Sequence, residues 1–358
     1  MNISDKAKQH IDACRFCWMC RHICPVSIAT GQERNTSRAR ALSLSLVVRG
    51  AEGISEVVDN LYECALCGAC VKECVTGWDP VMFTRESRTA ALLEGAIPEY
   101  VDKLLVNLEE KGNVYGKDLL SAVEDRDGSD TLLFLGEDAR YMSEDSTLGA
   151  IKVLDKAGVK FDVKKDEVNS GASIYFLTGK SNEAKSQMQA CAKFLNAYKT
   201  VVVYDPQDYK LMVREYKEFG IDLSAKVVSF NEYLLGLIED GKLLVNKGKE
   251  EYTIQDNFNY SRELADSDTV RKIVAKIGEV KDFLMSGKDT MFAGSLLMHE
   301  YMAEQMQRVA SDRWKNATGI DAKTVVTESP TEYEMLKMTK PEGLNLLTLE
   351  QAILNNLK

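Results

Sequence analysis

The sequence predicts a protein in two parts: an α-helical N-terminal domain built on cysteines, then a duplicated α/β domain with mainly parallel sheets. Three observations carry this. Eight of the nine cysteines fall in two runs between Cys14 and Cys74. The stretch between the runs repeats its apolar residues at helical spacing. From Thr131 onward, short β-branched runs alternate with helical stretches, and one strand–proline–helix pattern recurs 124 residues later.

The first run is Cys14, Cys17, Cys20 and Cys24, followed by Pro25; the second is Cys64, Cys67, Cys70 and Cys74. Each reads C-x2-C-x2-C-x3-C, the run that holds 4Fe-4S clusters in bacterial two-cluster ferredoxins, where the fourth cysteine serves the other cluster. The spacing therefore assigns Cys14, Cys17, Cys20 and Cys74 to one cluster, and Cys64, Cys67, Cys70 and Cys24 to a second. Zinc sites pair their ligands and would leave the third cysteine of each run idle. Disulfides belong to small secreted domains, and neither a signal peptide nor small size is evident. Val75 stands where the first run has proline, which weakens a turn but removes no ligand.

At 358 residues and 45% hydrophobic, the chain has material for two or three packed domains. Its most apolar stretch, Ala41 to Val48, ends at Arg49, well short of the ~20 residues of a membrane helix. The expected place is cytoplasmic, or at a membrane through a partner; reduced thiolates imply a reducing compartment. A net charge of −10 argues against nucleic acid. Residues 1–50 nonetheless hold eight Lys/Arg against three Asp/Glu, a local +5 that leaves −15 for the rest. Such charge favours the reduced form of a nearby anionic cluster and can face an acidic redox partner, or be a solvated helix face.

In chain order, residues 3–13 read as a short helix. Between the runs, Ala39, Leu42, Leu46 and Ile54, Val57, Val58, Leu61 give helices in place of ferredoxin-like strands. Asp79-Pro80 breaks the chain before a helix from Met82 to Leu93; Glu99 to Leu108 is another, and Gly112 to Gly128 is a joint. Strands follow at Thr131–Gly136, Lys160–Val163, Ile174–Leu177, Thr200–Tyr204 and Val227–Phe230, with helices at Leu148–Lys156, Asn182–Tyr198, from Pro206, and at Glu232–Ile238. Lys199-Thr-Val-Val and Pro206 to Tyr209 recur as Lys323-Thr-Val-Val and Pro330 to Tyr333, then a strand at Leu344–Leu349 and a helix at Glu350–Leu357. The expected organisation is a helical two-cluster ferredoxin-like domain (1–110), a joint (111–130) and two α/β repeats (131–246 and 247–358).

This arrangement resembles the group of heterodisulfide reductase D subunits, which includes the iron–sulfur C subunit of anaerobic glycerol-3-phosphate dehydrogenase and iron–sulfur subunits of glycolate and lactate oxidases. The resemblance covers nearly the whole chain. It implies that the repeats are CCG-type, with cysteines that bind further iron–sulfur centres. Here those cysteines are gone: Gly136-Glu137 precedes Arg140-Tyr141, the first CCG position reads Asn169-Ser170-Gly171-Ala172, and a later turn Asp205-Pro206-Gln207-Asp208. In the second repeat the matching stretches read Gln255-Asp256-Asn257-Phe258 before Arg262, Phe292-Ala293-Gly294, and Ser329-Pro330-Thr331-Glu332. Phe and Ala cannot ligate iron, and Asn or Ser replaces soft thiolate poorly. Disulfide cleavage is therefore not carried over.

The remaining candidates weigh little. Cys191 sits among apolar residues and reads as a buried thiol. Glu137, Asp208 and Glu332 stand where ligands stood; a divalent-cation site is one reading, first-turn helix carboxylates the simpler one. His10, His22 and His299 form no triad, although His22 in the first run is placed to tune a potential. Met298, Met302 and Met306 keep helical spacing and read as core. No phosphate loop, flavin site or nicotinamide site is evident.

The function expected is an electron-transfer subunit without catalysis of its own. It relays single electrons through two 4Fe-4S clusters, with Trp18 and Phe16 packing the first loop against solvent. The resemblance implies a flavoprotein dehydrogenase or electron-transfer flavoprotein as partner, and other redox subunits. The alternative is an oxidoreductase subunit that reduces a quinone or a thiol/disulfide compound held between the repeats near Arg140, Tyr141 and Arg262.

Overall fold

The computed structural model describes residues 3–14 and 17–358. The described part of the first 111 residues is helical. Helix α1 (Asp5–Asp12) is capped by Ser4, whose hydroxyl accepts from the Ala7 N–H. Short helices α2 (Met19–Ile23) and α3 (Pro25–Thr30) leave the first cysteine run. Helices α4 (Ser37–Val48) and α5 (Val58–Tyr62) join the runs, and α6 (Ala69–Glu73) leaves the second. Two longer helices, α7 (Pro80–Leu93) and α8 (Glu99–Lys111), complete the frame. Asp79-Pro80 starts α7: the Asp79 carboxylate accepts from the Met82 N–H and proline occupies the first turn, where its missing N–H costs nothing.

The α/β part begins with β1 (Thr131–Phe134), then α9 (Glu137–Met142), α10 (Glu144–Lys156), α11 (Ala172–Thr178) and α12 (Asn182–Leu195). Next come β2 (Thr200–Val203) and α13 (Pro206–Lys210), which runs through a π-turn into α14 (Tyr216–Glu218); β3 (Lys226–Ser229) and α15 (Phe230–Glu239) follow. These strands form a parallel sheet ordered β1-β2-β3, with Thr131 beside Thr200 and Thr200 beside Lys226. The second sheet holds β4 (Glu251–Gln255), β5 (Glu279–Lys281), β6 (Thr324–Thr327) and β7 (Asn345–Thr348), parallel and ordered β5-β4-β6-β7. Helices α16 (Asp268–Ile277), α17 (Leu296–Gly319), α18 (Pro330–Met338) and α19 (Leu349–Leu354) complete it.

Parallel sheets need both faces covered. Leu132, Phe134, Val201 and Val203 pack under Met188, Cys191 and Leu195, while Leu133, Leu135, Val202 and Tyr204 meet Ile254, Val326 and Leu349 of the second sheet's layer. A further core joins Leu44, Leu61, Tyr62 and Phe83 of the helical frame to Phe292, Leu296, Met298, Met306 and Trp314. Met302, between the two buried methionines, leaves helical geometry (φ −137°, ψ 46°) and kinks α17.

Two strand expectations fail. Ile174–Leu177 lies in helix α11. The last carbonyls of a helix lack partners within it, and here side chains of the N-terminal frame supply them: Arg88 Nη1 donates to Phe176 O (2.6 Å), Tyr62 Oη to Leu177 O (2.9 Å) and Thr89 Oγ1 to Thr178 O (2.8 Å). Lys160–Val163 forms single bridges rather than a ladder, Asp162 to Leu132 and Val163 to Arg126.

Candidate metal centre

Three arginines brace the second cysteine loop and the helix that leads into it. Arg88 donates through Nε and Nη2 to Leu61 O (3.2 and 2.7 Å) and through Nη2 to Cys64 O (2.8 Å). Arg40 reaches Asn60 O at 2.9 Å, and Arg262 donates to Cys67 O. Both Arg40 and Arg88 are essentially inaccessible to solvent. Sequence reasoning missed Arg88. Its signal was a charge on the stripe Thr84, Ser87, Arg88, Ala91, which is the buried side of α7.

The thiols surround two neighbouring cavities. One is lined by Cys14, Cys17, Cys20 and Cys74, with Cys70 at its wall and Trp18, Arg38, Val75 and Trp78 around it. The other is lined by Cys24, Cys64, Cys67 and Cys70, with Asn35, Ser37 and Arg40. None of the nine cysteines is in a disulfide. Among the described residues, no three His, Cys, Asp or Glu side chains are grouped to hold one metal ion. A four-iron cube makes no such demand, because each thiolate binds a different iron around a common core.

The two cavities differ in solvation. Burial pushes the Cys24 thiol up to about 12, and raises Cys67 despite the Arg262 charge. Cys70 is raised as well, by burial and then by the neighbouring Cys64, Cys67 and Cys24 sulfurs. At Cys74 partial burial raises the value, but hydrogen bonds from the Thr76 hydroxyl and from backbone N–H groups outweigh it and the thiol falls below its ordinary value. Crowded buried sulfurs repel one another as thiolates, and positively charged iron removes that penalty. This donor set fits an iron–sulfur cluster in chemistry and placement.

The carboxylates of Glu137, Asp208 and Glu332 are all engaged in hydrogen bonds. Glu137 Oε1 accepts from Val114 N–H (2.5 Å) and its other oxygen from Ser173. Asp208 accepts from the Ser170 hydroxyl at 2.5 Å. Glu332 Oε1 accepts from Gln255 Nε2 (3.1 Å) and Ala293 N–H (3.2 Å), and Oε2 from Asn257 Nδ2 (3.1 Å). Asp208 and Glu332 do sit in the first turns of α13 and α18, but buried rather than solvated. Burial is also the leading cause that pushes Glu137 and Glu332 up to about 7.

Arg140, Tyr141 and Arg262 do not form one site. Buried Arg140 donates to Glu167 O (3.0 Å) and Lys165 O (2.6 Å), while Arg262 anchors the cysteine loop. Neither arginine lines the crevice where the carboxyl ends of both sheets meet. That crevice is walled by Ala65, Leu66, Arg85, Lys210, Asn257 and Phe292 among others. Cys191 is fully buried. His22 is exposed beside the first run. Phe16, expected to pack that loop, lies outside the described residues, as does Arg15.

The 4Fe-4S dicluster domain family matches residues 10–78. The chain is 25% identical over 394 residues to a probable membrane-anchored ferredoxin of Chromohalobacter salexigens, across 96% of this chain and 58% of that protein. It thus spans less than two thirds of that relative's length. It is 24% identical over 324 residues to the D subunit of the dihydromethanophenazine:CoB–CoM heterodisulfide reductase of Methanosarcina mazei, across 78% of this chain and 76% of that one. A hypothetical protein from Helicobacter pylori shares the fold, with a TM-score of 0.57 at 12% identity over 99% of this chain and 73% of the other. Among the described residues no helix is long and apolar enough to cross a membrane.

Proposed function

We propose that this chain, an iron–sulfur protein of the family typified by the heterodisulfide reductase D subunits, is an electron-transfer subunit that relays single electrons through two 4Fe-4S clusters. The carrying observation is the grouping of eight thiols around two adjoining cavities, with Cys70 at the wall of both. Cys14, Cys17, Cys20 and Cys74 would hold one cluster; Cys64, Cys67, Cys70 and Cys24 the other. The clusters supply one-electron chemistry when bound; the protein positions them and sets their solvation.

In this reading residues 1–110 form the cluster domain, 111–130 the joint, and 131–246 and 247–358 two degenerate CCG-type repeats. Matching capping boxes support the repeat: Ser229 with Glu232 after β3, Thr348 with Gln351 after β7. The repeats act as scaffold, since hydrogen bonds fill their former ligand positions. The partner is a flavoprotein dehydrogenase or electron-transfer flavoprotein in a cytoplasmic complex, with membrane contact, if any, through another subunit. The name of the Methanosarcina relative, one subunit of a reductase, supports a multi-subunit setting.

The test is iron and acid-labile sulfide content with EPR of the dithionite-reduced, anaerobically purified protein. About eight of each and two interacting cubane signals are expected; a signal that survives combined Cys14→Ser and Cys64→Ser substitution refutes the scaffold reading. One observation favours reduction of a small molecule instead. The crevice between the sheets abuts Leu66 of the second run, and the Nε of Arg85 there is buried without a hydrogen-bond partner. Menadione reduction that Arg85→Gln abolishes, with cluster content unchanged, would establish it.

A further inference from the structure

We propose that the surface around Trp18 is the docking port for an acidic redox protein, an inference that rests on the relay reading above. The two cysteine runs are built alike but face opposite ways. The residue after the second cysteine is Trp18 in one run and Gly68 in the other, and both take the left-handed backbone, at φ 69° and 71°. Gly68 faces inward: a Cβ there would stand 2.9 Å from Glu263 Oε1 and 3.4 Å from Arg262 Cδ. Trp18 faces outward, 41% exposed, with the Arg38 guanidinium 3.9 Å and that of Arg21 5.5 Å from the ring centroid. A bulky side chain gains nothing locally from a backbone that glycine adopts freely. Strain of this kind concentrates at functional positions.

Trp18 opens an apolar strip beside the first thiol-lined cavity. Met19 (45% exposed) and Val75 (88%) flank that cavity with it. Leu42 (50%) and Leu46 (41%) extend the strip along α4. They follow Arg38 at four-residue steps, which puts all three on one face of the helix. Arg21, Arg38 and Arg49 edge it; Arg38 is also paired with Glu33 and Arg49 with Asp12. Exposed tryptophan and arginine around an apolar centre are the residues that dominate protein interfaces. Residues 1–50 carry +5 in a chain of −10, so this face attracts a negatively charged partner while the rest of the molecule repels it. Electrons would then enter or leave through the Cys14, Cys17, Cys20, Cys74 group, and the Cys64–Cys67 loop serves the interior.

The test uses the cluster-loaded full chain and an acidic flavodoxin. Leu42→Glu and Leu46→Glu change exposed positions of the strip that lie outside the thiol-lined cavity. Calorimetric binding of oxidised flavodoxin should weaken with rising ionic strength and by about tenfold in each variant. Reduction by flavodoxin hydroquinone, in which one electron leaves the flavin and enters a cluster, should slow by a similar factor. Iron content and reduction by dithionite should stay at parent values. Parent-like flavodoxin binding in both variants overturns the port, as does salt-insensitive or absent binding in the parent. Binding of phosphatidylglycerol vesicles or self-association that either variant abolishes overturns it too, by assigning the face to a membrane or a second copy. Clusters that dithionite cannot reduce would instead refute the relay reading.

Discussion

Arg262 donates to the carbonyl oxygen of Cys67, a residue 195 positions earlier, and so ties the second cysteine loop to the far half of the α/β part. The same guanidinium also donates to Lys288 O at 3.0 Å and Thr290 O at 2.6 Å. One planar fork thereby ties the loop to a distant backbone segment with which it shares no sequence neighbourhood.

Arg262→Ala should therefore loosen the Cys64–Cys70 loop and lower stability by about 2 kcal/mol, the cost of leaving part-buried carbonyls without donors. Urea unfolding measures the loss. EPR should show broadening confined to the cluster of the second run. Arg262→Lys should recover only part of the loss, because an ammonium cannot reach three divergent acceptors.

Arg88 is the stronger case, being fully buried and bound to Leu61 O, Cys64 O and Phe176 O. Arg88→Met should cost about 3–5 kcal/mol, because three carbonyl oxygens lose their charged donor at about 1–3 kcal/mol each. Thr89→Val, which removes one bond to Thr178 O, should cost about 1 kcal/mol. Denaturant midpoints for the two variants test the ranking.

Stability should fall as pH rises through neutrality. Burial pushes Glu137 up to about 7, Asp205 to about 8 and Glu350 to about 7. A carboxyl with a folded pKa above its unfolded one keeps its proton longer in the native state. Its stabilisation is complete below about pH 4.3 and disappears as pH climbs through the folded value. Glu137→Gln keeps the acceptor for Val114 N–H and removes the titration. It should match the parent below about pH 4 and exceed it by about 3 kcal/mol at pH 8, read from urea midpoints.

Gly68→Ala combines a left-handed backbone with a clash, whereas Gly77, at φ 69°, has nothing within 4 Å of where an added methyl would stand. Gly77→Ala should cost about 1 kcal/mol from the backbone alone. Gly68→Ala should cost about 1–2 kcal/mol more, because Glu263 must move. Thermal melts and iron retention of the two variants separate the terms.

Much of the organisation was legible in the sequence because it rests on local rules. Cysteine spacing marked eight thiols, and period changes marked the helical frame and most strands. The Ser181, Ser229 and Thr348 caps follow from side chains acting within one turn. The failures have a common cause. Ile174–Leu177 reads as a strand by composition, yet it is a helix because Tyr62, Arg88 and Thr89 satisfy the carbonyls at its end. Arg140 and Arg262, adjacent in the expected ligand site, are drawn apart by backbone partners on different loops.

By itself the sequence determined the spacing of eight thiols in two runs and left Cys191 as the one cysteine beyond them, since both are read directly from side-chain identity. Tertiary structure alone decided which cysteine loop meets solvent and which packs against the α/β part. Trp18 and Gly68 share a backbone conformation, but whether that position meets solvent or Glu263 depends on how distant segments pack, and no local preference encodes it.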